Sequence, residues 1–312
     1  MTPQPWPHLA HKAQTARVPA GTPAQSAIVC RSSSLQRGDL LDGKFEIRAL
    51  LGQGGMGQVF EAYDRELHRR VAIKVAWPHT GGSVRNEALA LAAFRHPSLI
   101  AIYALGRFGN LEYVVMERVH GTTLEDYLEK LNAEGRHVPL DEVVDILTGI
   151  SQGLAVIHSA GLAHRDVKPP NVMLAPGNRI VLTDFGIFRA EGLRGERDRC
   201  VGSPPYMAPE TIVGSVSLGE EYLVDVYALG VVAYELLTGQ LPFWSESVGA
   251  LWQLHLKAAP PDPTAHRTDV PLKLASLVQA MLAKDATARP QSMAEVAWQL
   301  GRMRMSLPPA VR

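Results

Sequence analysis

The sequence predicts an α+β chain in two lobes: a small antiparallel sheet with one main helix, then a larger, mostly helical part. Two observations carry this. Between Phe45 and Met116, apolar residues alternate in short runs separated by glycine-rich and polar turns, the period-two pattern of strands. From Thr122 onward, apart from one short hairpin, they return at three- and four-residue steps, the period of buried helix faces. Strands grouped first and helices after, rather than alternating, indicate an α+β arrangement. A length of 312 residues, 46% hydrophobic and 20% charged, is long enough for one large domain or two lobes.

Composition excludes several classes. The formal net charge is zero, so no overall field draws the chain to nucleic acid or an anionic membrane. The two cysteines, Cys30 and Cys200, are far apart and lack ligand spacing, which argues against a disulfide framework or a zinc site. No run reaches the ~18 apolar residues of a membrane span. The most apolar stretch, Val224 to Leu237, carries Asp225 and Glu235 and reads as a buried helix. With no apolar leader at the N-terminus, a cytoplasmic protein is expected.

Residues 1–38 contain no Asp or Glu, four Lys or Arg and five Pro, and show no sustained period. A disordered extension is expected there, with Ser32, Ser33 and Ser34 as acceptors for any regulatory phosphate. The folded domain is expected over 39–305, divided into a small lobe (39–116), a connector (117–121) and a large lobe (122–305), with 306–312 as a tail.

The first strand is expected over Phe45 to Leu51, with Phe45, Ile47, Ala49 and Leu51 on one face. Gly52-Gln53-Gly54-Gly55-Met56-Gly57 follows. Its glycines allow a sharp turn and close approach to a ligand, so that amide N–H groups could cover phosphates. A glycine pattern alone is a weak signal. Here Gln58 to Tyr63 alternates as a second strand instead of opening a helix, and Val71 to Val75 reads as a third; strand–turn–strand is not the dinucleotide arrangement. Lys74 lies on that third strand among Val, Ala and Ile, where an unpaired ammonium would be costly, so it needs a partner. Glu87 is the one acid in the helix expected over 84–95, which His96-Pro97 stops. Strands are expected near Leu99 to Tyr103 and Leu111 to Met116, with the turn at 106–110.

Glu117 to Gly121 reads as the connector, and Thr122-x-x-Glu125 as a capping box opening a short helix. A longer helix starts near Pro139 and buries Val143, Leu147, Ile150, Leu154 and Ile157. Val172 to Leu174 and Ile180 to Leu182 form a hairpin around Pro176-Gly177-Asn178 that delivers Asp184-Phe185-Gly186. Helices follow from Glu220: the apolar one with Asp225, then 250–257, 271–283 and a last one opened by Ser292-x-x-Glu295.

The segment from His164 to Asn171 gathers the chemistry. Pro169 and Pro170 keep it from being an ordinary helix. Asp166 can take a proton, Lys168 can neutralise a migrating phosphoryl group and Asn171 can hold a metal ion through its oxygen. With the glycine turn, the Val71-Ala72-Ile73-Lys74 strand, Asp184-Phe185-Gly186 and Ala208-Pro209-Glu210 in this order, the chain resembles the eukaryotic-like (Hanks-type) Ser/Thr protein kinases, most closely bacterial ones, over about 42–303.

The resemblance implies the bilobal protein kinase fold and transfer of the γ-phosphate of ATP, with Mg²⁺ or alternatively Mn²⁺, to Ser/Thr hydroxyls of protein substrates. It assigns Asp166 as base, Lys168 as phosphoryl stabiliser, and Asn171 and Asp184 as metal ligands. Lys74, fixed by Glu87, would hold the phosphates under a lid of Leu51, Gly52, Gln53, Gly54, Gly55, Met56 and Gly57. Val59 and Ala72 would roof the adenine pocket, Met173 floor it and Met116 close its back, with Glu117 and Val119 offering backbone hydrogen bonds. Structural roles are implied for His164 under Phe185, for a Glu210–Arg289 ion pair and for Asp225 as a brace of the catalytic loop. A pseudokinase scaffold is the alternative; the presence of Lys74, Glu87, Asp166, Asn171 and Asp184 counts against it.

One departure stands out. From Ile187 to Gly202 there is no Ser, Thr or Tyr, so Arg165 lacks the phosphorylated partner that such a loop usually supplies. Glu191, Glu196 or Asp198, or a partner protein, is expected to substitute, leaving activity independent of phosphorylation in this loop.

Overall fold

In the computed structural model, the described residues are 35–307 without 55–56, 78–84, 86–87, 186–202 and 218. A six-stranded antiparallel sheet forms the small lobe. Its strands are β1 (Leu40–Leu41), β2 (Phe45–Gly54), β3 (Gly57–Asp64), β4 (Arg69–Ala76), β5 (Ile102–Phe108) and β6 (Leu111–Glu117), in the order β1-β2-β3-β4-β6-β5. Leu41, Phe45, Ile47, Phe60, Val71 and Ile73 bury one face of it, and Leu35 packs with them. Part of the expected extension, 35–38, therefore belongs with the folded lobe; the rest of that expectation falls outside the described residues.

The expected alternation of β2 holds for Phe45 and Ile47 and then fails. Register shifts between Ile47 and Ala49 and between Leu50 and Gly52 turn the strand, and Leu50 and Leu51 are both exposed. The strand expected near Leu99 is displaced to Ile102–Phe108. Leu99 and Ile100 are apolar for another reason: they are buried against the large lobe, where Leu99 bridges Leu182 and the Ile100 N–H donates to the Leu182 carbonyl. Gly106 lies inside β5, and the turn falls at Gly109-Asn110. Of the helix expected over 84–95, Arg85 and 88–91 are helical, and the helix has ended by Ala92.

The large lobe carries a three-stranded sheet of β7 (Thr122–Thr123), β8 (Val172–Ala175) and β9 (Arg179–Leu182), ordered β7-β8-β9. Its helices are α1 (Leu124–Ala133), α2 (Leu140–Ser159), α3 (Pro209–Val213), α4 (Tyr222–Thr238), α5 (Val248–Lys257), α6 (Leu272–Met281) and α7 (Met293–Arg304). The cap of α1 sits one residue later than expected. The Thr123 hydroxyl accepts from the Asp126 N–H at 3.0 Å and donates to its carboxylate at 2.7 Å, so the box is Thr123-x-x-Asp126. The Ser292 cap of α7 is as expected. The five apolar residues read as the buried stripe of α2 are fully buried, and α4 is buried around nearly its whole circumference. Gly153 of α2 meets Leu182, and Gly230 of α4 meets Met281; a Cβ at either would sit 2.9 Å from those side chains, so the glycines set helix spacing. One continuous core runs from Ala72 and Met116 of the small lobe through Val172 to these helices.

Candidate active site

Asp225, near the start of α4, fixes the catalytic loop from below. Its carboxylate accepts from the backbone N–H groups of His164 and Arg165, each at 2.7 Å, and bonds His158 Nε2 at 2.8 Å. Burial alone would raise this carboxyl, but the hydrogen bonds from His158 and from the His164 backbone N–H hold it below the usual range. The loop turns at Arg165, whose φ of 63° is a left-handed value unusual outside glycine. Two charge-assisted bonds to Asp225 offset that strain.

His164 is fully buried, its ring 4.3 Å from that of Phe185. Nε2 meets the Thr183 carbonyl at 3.1 Å, and Nδ1 accepts the Asp166 N–H at 3.3 Å. That pattern requires a proton on Nε2 and none on Nδ1; burial lowers the imidazole pKa and keeps the ring neutral. The packing role expected for His164 is thus what the structure shows.

Asp166, Lys168, Asn171 and Asp184 converge. Lys168 Nζ lies 2.8 Å from Asp166 Oδ2 and donates to the Ser203 hydroxyl, also at 2.8 Å. The Asn171 amide nitrogen donates to the Asp166 carbonyl at 2.8 Å, to Asp166 Oδ2 at 3.1 Å and to the Asp184 carbonyl at 3.3 Å. With that nitrogen committed, Oδ1 is the atom Asn171 has for a cation. Pro169 and Pro170 put the intervening turn into a 3₁₀ helix, Pro169–Asn171, which brings Asn171 back beside Asp166.

Lys74, on the buried β4, reaches across to Asp184 at 2.8 Å. Asp184 sits at φ 52°, its side chain nearly half exposed. The surrounding protein pushes its carboxyl up; the Lys74 ammonium, hydrogen-bonded to it, and then Lys168 outweigh that and hold it below the usual carboxylate range. Glu87, the partner expected for Lys74, lies outside the described residues, as do Gly55 and Met56 of the glycine turn. A carboxylate and an amide oxygen are hard donors suited to Mg²⁺, which takes its other ligands from water and phosphate. Among the described residues no group of three or more His, Cys, Asp or Glu forms an all-protein cage.

The expected adenine walls come together. Ala72 and Met116 are paired across β4 and β6, and both are buried. Val59 and Met173 pack from opposite lobes on the same core, which also includes Val119. A small cavity bordered by Lys74, Leu91, Val114, Met116 and Asp184 lies at the inner end. Leu51, Gly52, Gln53 and Gly54 are exposed along the end of β2. Gly57 closes the turn at φ 154°; a Cβ there would lie 1.9 Å from the Val75 carbonyl oxygen, so the β3–β4 pairing admits only glycine. The Trp77 indole N–H donates to the Gly54 carbonyl at 2.9 Å, a tie across the turn that the sequence did not announce. The Glu117 N–H donates to the Ala101 carbonyl at 2.8 Å, so this residue can offer a ligand only its carbonyl.

Other predicted pairs are present. Arg289 forks onto Glu210 at 2.7 and 2.8 Å, its side chain fully buried. Arg165 does find a carboxylate, but from Glu221 just before α4, at 3.6 Å; the loop acids Glu191, Glu196 and Asp198 lie outside the described residues, with Cys200. Glu221 is itself held by the Gly219 N–H at 2.8 Å. Tyr206 donates to the buried Glu235 at 2.7 Å. In the sequence, Glu235 reads only as a charge within the most apolar stretch.

Comparison with known proteins agrees with this geometry. Residues 45–299 match the protein kinase domain family. The chain is 36% identical over 270 residues to the serine/threonine-protein kinase PknB of Mycolicibacterium smegmatis, covering 82% of this chain and 42% of that protein. It therefore spans less than half the length of that relative. Among solved structures, the PknI kinase domain of Mycobacterium tuberculosis superposes with a TM-score of 0.69 at 26% identity, covering 88% of this chain and all of that one. Rad53 1–466 in complex with AMP-PNP superposes at 0.69 and 25% identity, covering 84% and 65%.

Proposed function

The chain belongs to the protein kinase family, with bacterial Ser/Thr kinases among its relatives, and we propose that it transfers the γ-phosphate of ATP to Ser and Thr hydroxyls of proteins, its own included. The convergence of Asp166, Lys168, Asn171 and Asp184 on one volume, with Lys74 entering from the other lobe, is the observation that carries this reading.

Each group has a task fitted to its position. Asp166 orients the substrate hydroxyl and accepts its proton; Lys168, 2.8 Å away, offsets charge on the phosphoryl group in flight. Asn171 Oδ1 and Asp184 would hold Mg²⁺, or Mn²⁺, which neutralises the phosphates when bound. Lys74 takes the α- and β-phosphates, exchanging part of its bond to Asp184 for them. The amides from Gly54 to Gly57 cover the phosphates, and Leu51, Val59, Ala72, Met116 and Met173 enclose the adenine, with Glu117 and Val119 giving backbone hydrogen bonds. Lys168 also anchors Ser203, which ties the substrate-facing segment to the base. We assign the small lobe to 35–116, the connector to 117–121 and the large lobe to 122–305. ATP as donor places the work in the cytoplasm; among the described residues no helix is long and apolar enough to cross a membrane.

The test is radiolabel transfer from Mg²⁺-ATP to a generic protein substrate by wild type and Asp166→Asn. Loss of ~10²-fold or more in kcat with retained ATP binding is expected for a lost general base. Equal labelling by both proteins would overturn the assignment, and no labelling by wild type would favour a nucleotide-binding scaffold.

A further inference from the structure

Arg179 stands where three separate segments meet. It opens β9, and all three nitrogens of its guanidinium have acceptors. Nη1 and Nη2 donate to the two carboxylate oxygens of Glu117, the second at 2.9 Å, while Nε donates to the Pro97 carbonyl at 2.8 Å. Glu117 ends β6 and begins the connector between the lobes. Pro97 lies in the linker that carries the chain from the small-lobe helix to β5. The hairpin of β8 and β9 belongs to the large lobe.

This junction is built for geometry more than for stability. Side-chain exposure is 33% for Arg179 and 19% for Glu117, too wet for the charge pair to contribute much to folding. The planar fork, however, fixes both the distance and the orientation of a carboxylate, which a lysine cannot do. The hydrogen bond from Arg179 holds the Glu117 carboxyl below its usual range, so the fork stays charged through neutral pH. The backbone of Glu117 is pinned as well: its N–H is given to Ala101, and the residue pairs with Val71 in the sheet. Side chain and main chain of this one residue are thus held from the large lobe, the linker and the sheet at once.

We propose that Arg179 is a positioning residue for adenine recognition. By clamping the Glu117 side chain it sets the orientation of the peptide whose carbonyl accepts the 6-amino group of the base. Discrimination for that amino group then depends on a β9 residue outside the pocket. The inference rests on the reading of Glu117 as an adenine contact.

The experiment is steady-state kinetics with ATP and with purine riboside triphosphate, which lacks the 6-amino group. It uses wild type, Arg179→Met, Arg179→Lys and Glu117→Gln, with Tm recorded for each. In wild type the analogue should have a KM about tenfold above that of ATP, the value of one well-placed hydrogen bond. In Arg179→Met the KM for ATP should rise about fivefold with kcat within about twofold, and the preference over the analogue should shrink to about twofold. Arg179→Lys should fall between. Should Arg179→Met have a depressed Tm, Glu117→Gln carries the same test, because it keeps the side chain's shape and weakens only the fork. A variant that keeps the wild-type ratio between the two nucleotides, or loses kcat at unchanged KM, overturns the proposal. A wild type indifferent to the amino group overturns the adenine reading of Glu117 itself, and the proposal with it.

Discussion

Lys74 and Asp184, 110 positions apart, share a hydrogen bond of 2.8 Å that joins β4 of the small lobe to the segment after β9. The ammonium holds the Asp184 carboxyl down against the upward push of its surroundings. Lys74→Met removes that restraint and a phosphate ligand together. Phosphoryl transfer should fall by ~10²-fold or more. Radiolabel transfer from Mg²⁺-ATP by the variant checks this; labelling at the wild-type rate would remove Lys74 from the site.

Arg165 has a carboxylate beside it that does not come from the 187–202 segment. Glu221, fixed by the Gly219 N–H, faces it at 3.6 Å. Phosphatase-treated protein should therefore retain its activity, and Glu221→Ala should lower it several-fold. Activity that vanishes on dephosphorylation and returns with phosphate mapped to Ser203 or a neighbour would show that Glu221 does not serve.

Arg289 is fully buried and satisfied by Glu210 and by the carbonyls of Leu223 and Ala283. Arg289→Met leaves Glu210, itself mostly covered, without its counter-ion. A loss of about 3 kcal/mol is expected from breaking such a pair, read as a lower urea midpoint. Because neither residue touches the chemistry, kcat of the folded fraction should be nearly unchanged.

Burial pushes the Glu235 carboxyl up to about 8, with the Tyr206 hydroxyl bond opposing. Its folded pKa lies above the unfolded value, so the folded state binds the extra proton. Stability is favoured below the unfolded pKa near 4.5 and falls as pH rises through about 8. Glu235→Gln should flatten the decline of Tm between pH 6 and 9 and be the more stable protein at the alkaline end. Parallel declines in both proteins would rule out Glu235 as the source.

Most of the site could be read from the sequence because its parts are local. Asp166, Lys168 and Asn171 lie within six positions, and two prolines announce the turn that folds them together. The amphipathic face of α2 and the hairpin around Gly177 were equally plain, since each rests on a short-range period or turn. The failures come from long-range pairing. Leu99 and Ile100 looked like strand residues of the small sheet, and only their bridge to Leu182 shows why they are apolar. The cap of α1 was misplaced by one residue because two threonines compete and each is followed, three positions on, by an acid. Arg179 carried no signal at all: an arginine opening a hairpin strand reads as solvated until Glu117 and Pro97 are brought to it.

Two glycines give the fold a property that a mutational scan would expose. At Gly57 a Cβ would lie 1.9 Å from the Val75 carbonyl, and at Gly121 another would lie 2.0 Å from that of Leu174. One closes the glycine turn between β2 and β3; the other lies just before β7. Each is a point where a single methyl group becomes a wedge against rigid main chain, with no rotamer to relieve it. In a saturation library selected for activity, these two positions should return glycine alone.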